Sequence, residues 1–167
     1  MDLFKEQIVK VKKTNYTYFI QGLIWLFAVA ITAVTFLLIK GTPLFIIAGA
    51  VAGYCAYKVT TSFNIEYEYT ITNGLVDIDK IINKASRKEI VSFESKNIEE
   101  IYKYNKDFVK DKSKKIIVCT DDFENSLIIG VNTVSLGKCY IVFSPNEDLI
   151  DLIKTFAPRS ITREFFK

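Results

Sequence analysis

Histidine is absent from the 167-residue chain. This absence removes the most common general base, the usual activator of serine and cysteine nucleophiles, and the most common zinc ligand. There are only three cysteines, Cys55, Cys119 and Cys139, with no C-x-x-C pair, so we expect reduced thiols. Glycine-rich phosphate loops and EF-hand spacing are also missing. We therefore predict no catalytic residue, no cofactor and no metal site, and interpret the chain as a non-enzyme.

Proline and net charge are also scarce. The chain has three prolines, with none between Pro43 and Pro145, and its net charge is only +3. Basic residues alternate with acidic ones instead of forming one positive field, which argues against nucleic acid as a partner. Because no low-complexity linker interrupts residues 59–167, we expect this region to form one domain.

Long apolar runs are concentrated near the N-terminus. Residues 14–39 contain no charge, and a second uncharged run covers residues 41–57. Crossing a bilayer takes about 20 helical residues, so the sequence predicts transmembrane helices at about 16–39 and 42–58 within residues 14–58. The first run is too long for the apolar part of a cleaved signal peptide. The short connection between the runs predicts a helical hairpin.

Lysines flank this hairpin unequally. Only Lys40 lies in the connecting loop, whereas five lysines lie outside it: Lys5, Lys10, Lys12, Lys13 and Lys58. Positive residues favour the cytoplasmic side, so we expect a two-span protein of the cell membrane with both ends in the cytoplasm. The basic segment 1–13 is amphipathic, with Phe4, Ile8 and Val11 at helical spacing, and is predicted to form a short surface helix.

The second run contains a G-x-x-x-G motif at Gly49 and Gly53. Small residues at this spacing allow helix backbones to approach closely in lipid. Two interpretations remain open, namely packing against the first helix and self-association of two chains.

Alternating residues dominate the chain after the hairpin. Apolar side chains share one face of residues 63–72, and Asn73-Gly74 then provides a type I′ hairpin turn before residues 75–82. Further strands are predicted at 88–93, 98–104, 114–119, 127–133 and 138–143. Short strands joined by turns predict an antiparallel meander or a partly open β-barrel.

The opposite face of the first hairpin is acidic, with Glu66, Glu68, Asp77 and Asp79. Clustered carboxylates are typical of a weak divalent-cation site. The alternative is a face neutralised by Arg87 or Lys88 on the next strand.

One amphipathic helix is predicted at 145–157. Ser144 to Glu147 reads as a capping box with Pro145 in the first turn, and Pro158 ends the helix. The predicted fold class is therefore a membrane α-helical hairpin plus an α+β domain with one C-terminal amphipathic helix.

Two segments carry a resemblance to known families: residues 67–74, an aromatic strand with its turn, and residues 140–147, which lead into the final helix. With the basic N-terminal segment and residues 157–159, they make the chain similar to an uncharacterised family of small two-span membrane proteins from Gram-positive bacteria. The cytoplasmic part resembles bacterial pleckstrin-homology-like (PH-like) domains. This resemblance implies binding of lipid, peptide or protein and supplies no catalytic motif.

The densest basic stretch suggests a lipid contact through four lysines: Lys110, Lys112, Lys114 and Lys115. The leading hypothesis is a membrane-anchored, non-enzymatic binding or scaffold module. Its partners would be the lipid bilayer and either a membrane-associated protein or a second copy. The alternative is a sensor of anionic lipid headgroups through basic loops, and an enzyme without a recognisable motif is the remote alternative.

Overall fold

The structure is a computed structural model and describes residues 3–39, 42–109, 114–133 and 136–165. Lys40, in the predicted loop, lies outside these residues. The chain divides into two compact units. The β domain comprises Met1–Val11, Glu66–Ile81 and Ser86–Lys167, and the hairpin unit comprises Lys12–Ile65 and Ile82–Ala85.

The hairpin unit contains helices α1 (Asn15–Leu38) and α2 (Leu44–Thr61). Both are long and apolar enough to cross a membrane, and their bounds agree within three residues with the predicted spans. The only buried residues are Ala28 in α1 and Ala56 and Thr60 in α2. The apolar side chains of this pair are therefore mostly exposed, unlike those of a core helix in a globular protein.

Contacts between α1 and α2 include small, polar and aromatic residues. A β-carbon added at Gly49 would lie 3.0 Å from Cγ2 of Thr32, so the helices approach closely there. Gln21 Nε2 donates a hydrogen bond to the carbonyl oxygen of Thr60 at 3.1 Å. Gly53 faces open space, with nothing within 4 Å of an added β-carbon. Only the first glycine of the motif therefore packs within the hairpin.

The N-terminal segment forms a strand, β1 (Phe4–Lys10), and the predicted surface helix is wrong. Strand β1 pairs antiparallel with β2 (Ile65–Thr72), which follows the helical hairpin. Residues four apart share a face in both helices and strands, so the spacing of Phe4 and Ile8 fits either structure. Pairing with β2 satisfies the backbone of the segment, which decides the outcome.

The first sheet has the order β1-β2-β3-β4, with β3 at Leu75–Ile82 and β4 at Ser86–Glu94. Asn73 and Gly74 have positive φ angles of 50° and 89°, as the predicted type I′ turn requires. Asn83 and Lys84 form a second turn with φ angles of 51° and 55°. A short 3₁₀ turn, Ser95–Asn97, leads to the second sheet.

The second sheet has the order β5-β7-β8-β6. Its strands are β5 (Ile98–Lys103), β6 (Ile116–Val118), β7 (Leu127–Thr133) and β8 (Gly137–Phe143). Strand β6 runs parallel to β8, so the second sheet is mixed, whereas an antiparallel meander or a partly open β-barrel was predicted. After β5, Tyr104 and the short helix α3 (Lys106–Val109) pack against the outer face of this sheet. The two sheets do not close into a barrel.

The C-terminal helix α4 (Glu147–Phe156) is two residues shorter at its start than predicted. Asn146 is the N-cap, because its side chain accepts a hydrogen bond from the Leu149 amide at 3.0 Å. Ser144 is not the cap, since its buried hydroxyl hydrogen-bonds to that of Thr120 at 2.6 Å. Beyond Pro158 a further helix, α5 (Arg159–Phe165), was not predicted.

The core lies between the two sheets and is covered by α4. The core is formed by the alternating apolar side chains of the strands and by the apolar stripe of α4, as predicted. Its largest fully buried side chains in the β domain are Tyr69, Phe143, Ile71, Ile78, Ile98, Ile129, Ile141, Leu149 and Ile153.

Gln7 ties β1 to the start of α4. Its Nε2 donates to the Ser144 carbonyl oxygen at 3.0 Å, and its Oε1 accepts from the Asn146 amide at 2.7 Å. This pair of bonds joins the edge strand to the end of the helix, where an amide would otherwise lack a partner.

We expect Gln7→Ala to lower the free energy of unfolding by about 1–3 kcal/mol, because two backbone groups lose a hydrogen bond. Amide hydrogen exchange in β1 should accelerate together with the loss of stability in urea. Glu6→Ala is the matched control, since Glu6 is a neighbouring exposed residue of the same strand. Equal effects of the two substitutions would contradict a specific role of Gln7.

Candidate functional site

The predicted basic stretch is only partly described. Lys110 and Lys112 lie outside the described residues. Lys114 Nζ lies 3.8 Å from the centroid of the Phe108 ring, a cation–π contact. Lys115 Nζ donates to the carbonyl oxygen of Leu136 at 3.2 Å. Both described lysines therefore contact groups of the protein itself.

The acidic face of the first sheet is neutralised from β4, as the alternative with Arg87 predicted. Glu68 is buried and pairs with Arg87, whose Nε also lies 3.6 Å from Asp79 Oδ2. The hydrogen bond to Glu68 raises the pKa of Arg87 above its ordinary value. Asp77 accepts a hydrogen bond from Ser92. In the described part of the chain, no three His, Cys, Asp or Glu side chains are grouped to hold a metal ion.

An aromatic patch, formed by Tyr102, Phe108, Lys114 and Tyr140, covers the outer face of the second sheet. The Phe108 ring centroid lies 5.4 Å from that of Tyr102 and 5.0 Å from that of Tyr140. Tyr102 is 41% exposed, so the patch is open to other molecules. Aromatic residues of this kind are enriched at protein interfaces.

Glu100 forms a polar network at the border of this patch. It accepts hydrogen bonds from the hydroxyls of Tyr102 at 3.1 Å and Tyr140 at 3.2 Å. Lys138 Nζ bridges Glu100 and Glu99, at 3.1 Å from each. Tyr140 reaches Glu100 because residue 130 is glycine, where an added β-carbon would lie 3.0 Å from the Tyr140 ring.

This network was missed by the sequence analysis. Its residues lie on the less hydrophobic face of β5 and β8. Alternating apolar positions indicate only the opposite, core-facing side of a strand. A detectable signal was the aromatic content of Tyr102, Tyr104 and Tyr140 together with Gly130 inside a strand, which often marks a close approach.

The charges of the network are fixed at neutral pH. Burial raises the pKa of Glu100, but the hydrogen bonds from Lys138, Tyr102 and Tyr140 outweigh it, and the pKa lies below its ordinary value. Hydrogen bonds to Glu99 and Glu100 raise the pKa of Lys138. Burial and the hydrogen bond to Glu100 raise the pKa of Tyr102. A general acid or base needs a pKa near the working pH, so this arrangement suits binding better than proton transfer.

The two thiols of the β domain are equally unsuited to nucleophilic chemistry. Burial raises the pKa of Cys119 to about 12, and burial also raises the pKa of Cys139. Because the thiolate is the reactive form, thiols with raised pKa in the core behave as small apolar residues.

The hairpin unit contains an apolar groove of about 540 Å³ between α1 and α2. None of the described residues that line it is charged. Ten residues form its walls: Ile24, Phe27, Ala28, Ile31, Ala48, Val51, Ala52, Cys55, Ala56 and Val59. Such a groove suits hydrocarbon, because it offers no charged group to orient a polar ligand.

Two four-stranded sheets with a helix packed across the core, as in the β domain, have the architecture of a PH-like domain, a class whose members are in general non-catalytic binding modules. The family model described as "Bacterial PH-like domain (DUF6106)" matches residues 1–163, so the chain belongs to this family. The match includes β1 and the hairpin, and it confirms the resemblance to PH-like proteins. No curated protein and no solved structure matches the chain.

The lowered pKa of Glu100 makes a pH dependence of stability testable. Its carboxylate stabilises the folded state above the ordinary pKa of 4.5, and this contribution is lost as the pH falls through the lower pKa of the folded state. We therefore expect the free energy of unfolding of the wild type to fall more steeply below pH 4.5 than that of Glu100→Gln. Urea titrations between pH 3 and 7 measure the free energy of unfolding of both proteins. Parallel curves for the two proteins would contradict the network.

Proposed function

We propose that this protein is a non-enzymatic binding module anchored in the cell membrane, which presents its PH-like domain to a partner at the cytoplasmic face. The observation that carries the proposal is the exposed apolar surface of α1 and α2. Phe19, Leu26 and Leu38 of α1 are 64%, 67% and 78% exposed. Leaving so many large apolar side chains in water is unfavourable at about 25 cal/mol per Å², so lipid is the fitting solvent.

The connectivity supports a two-span arrangement. Strand β1 precedes α1 and pairs with β2, which follows α2. A chain that leaves and re-enters the same sheet crosses a bilayer an even number of times, so both ends of the hairpin lie on one side. The excess of lysines at these ends over the connecting loop favours the cytoplasm.

The aromatic patch is the surface best suited to a partner. Tyr102 and Phe108 combine exposed apolar area with little conformational freedom, which favours protein contacts. Glu100 and Lys138 give the patch a charged border. The proposed partner is a membrane-associated protein or a second copy of the chain. Nucleic acid is not proposed, because the charge of the chain is small and mixed.

Membrane residence is tested by extraction. We expect the full chain to stay in the membrane pellet after alkaline carbonate and to be released by detergent. Single cysteines are then introduced at Thr42 and at Ser86 in a cysteine-free background. Labelling by an impermeant maleimide added to intact cells shows which of the two positions lies outside the cell. Labelling at Thr42 but not at Ser86 is expected. Release by carbonate, or labelling at Ser86 alone, would contradict the proposed arrangement.

Partner binding is tested by photo-crosslinking in native membranes. A photoreactive residue in place of Tyr102 should give a discrete adduct, because this position lies on the patch. The same residue in place of Asp151, an exposed position on α4, is the control. Tagging the chain with two different epitopes distinguishes a second copy from another protein. Absence of an adduct at Tyr102, or equal adducts at both positions, would contradict the patch as the binding surface.

A further inference from the structure

The turn between β3 and β4 has lysine where glycine is favoured. In the first sheet, Asn73-Gly74 and Asn83-Lys84 both have two successive positive φ angles, so they use the same kind of turn. Lys84 has a φ angle of 55°, which its β-carbon makes unfavourable and which costs glycine nothing. The backbone of the turn alone therefore does not account for a lysine at this position.

The structure holds this turn at one end of the hairpin unit. Ile82–Ala85 belongs to that unit together with α1 and α2. The Asn83 amide donates to the carbonyl oxygen of Asn64 at 2.7 Å, and Asn64 Nδ2 donates to Asn83 Oδ1 at 3.2 Å. Asn64 follows the last residue of α2, Thr61, by only three positions. Lys84, which is exposed, therefore lies at the same end of the hairpin unit as the last turn of α2.

Other lysines lie at the same end. Lys13 precedes α1 by two residues, and its Nζ lies 5.9 Å from the centroid of the Tyr18 ring. Lys58 occupies the last turn of α2, with its Nζ 5.7 Å from the Tyr54 ring centroid. Lysine and tyrosine together are typical of the boundary between hydrocarbon and headgroups.

The charge of the hairpin unit is of one sign. The sequence of this unit contains no Asp or Glu and five lysines, Lys12, Lys13, Lys40, Lys58 and Lys84. Since the whole chain carries +3, the β domain carries −2. The unit that supplies the apolar helices thus also concentrates the positive charge, four-fifths of it at the end that carries Lys84.

We propose that this end of the hairpin, with Lys12, Lys13, Lys58 and Lys84, is a contact surface for the headgroups of anionic phospholipids. The inference rests on the proposed membrane anchoring and names the lipid class that the anchor prefers. The charge gained at Lys84 offsets the strain of its φ angle. The proposed surface does not include the basic stretch of residues 110–115.

The single tryptophan, Trp25, provides the readout. It lies near the middle of α1 and is 45% exposed, so brominated acyl chains beside the hairpin quench its fluorescence. The full chain is reconstituted in phosphatidylcholine bilayers with increasing fractions of brominated phosphatidylglycerol or, in parallel, brominated phosphatidylcholine. We expect stronger quenching by the anionic lipid at equal fractions, with the difference reduced at high salt.

Lys84→Gly separates charge from structure. Glycine is favoured at a positive φ angle, so the unfolding midpoint should stay the same or rise. The relative affinity for phosphatidylglycerol should fall by up to about fivefold, which is the contribution of one lysine to binding near an anionic surface. Lys96→Gln is the matched control, because it removes an equal charge from the β domain and should leave the lipid preference unchanged.

The outcomes distinguish this inference from the proposed function. If neither brominated lipid quenches Trp25, the hairpin is not in the bilayer, and both the anchoring and the lipid preference are wrong. If both lipids quench equally in the wild type, the anchoring stands and the preference is wrong. If Lys84→Gly keeps the wild-type preference, or Lys96→Gln lowers it equally, Lys84 is not part of the surface.

Discussion

Pairing between β1 and β2 is the constraint on which the rest of the structure depends. The two strands are neighbours in the sheet, yet two long helices separate them along the chain. The pairing brings Leu3 and Asn73, 70 residues apart, into hydrogen-bond contact at 3.0 Å. It also buries part of Val9 in the core and brings Lys10 opposite Glu66, an attractive pair across the strands.

Several buried polar side chains of the β domain are paired within the domain. Tyr69, fully buried, donates its hydroxyl to the carbonyl oxygen of Cys119 at 2.6 Å, and burial raises its pKa above the ordinary value. Glu68 forms an ion pair with Arg87. Glu100 forms an ion pair with Lys138 and accepts hydrogen bonds from two tyrosine hydroxyls. Side chains that are already hydrogen-bonded or ion-paired within the domain are less available to a reacting substrate. They hold the surface around them in one shape.

Much of the fold was predictable, because its signals are local. The apolar runs predicted both helices. Alternation of apolar residues, together with turn residues, predicted seven of the eight strands in the described part of the chain, with the bounds of most strands correct within two residues. What local patterns do not contain is pairing at a distance. The spacing in segment 4–10 fits a helix as well as a strand, and only the partner strand beyond the hairpin decides between them. The parallel pairing of β6 likewise depends on how the chain crosses the outer face of the second sheet.

The functional surfaces were harder to predict for a related reason. The lysines at 110–115 stand out in the sequence because four of them lie within six residues, whereas Lys13, Lys58 and Lys84 are scattered along the chain and share one end only after folding. The aromatic patch draws Tyr102 from β5, Phe108 from α3 and Tyr140 from β8. The helix cap was misplaced by two residues because both Ser144 and Asn146 are good capping residues, and hydrogen bonding of Ser144 to Thr120 leaves the cap to Asn146.

The position of the hairpin between β1 and β2 also has a consequence for biosynthesis. During translation β1 is synthesised first, and its partner strand β2 is synthesised only after both helices. For that interval β1 is a short peptide with unsatisfied backbone groups, and the lysines and glutamate among its seven residues keep it soluble. The β domain can therefore complete its first sheet only after both helices have been synthesised.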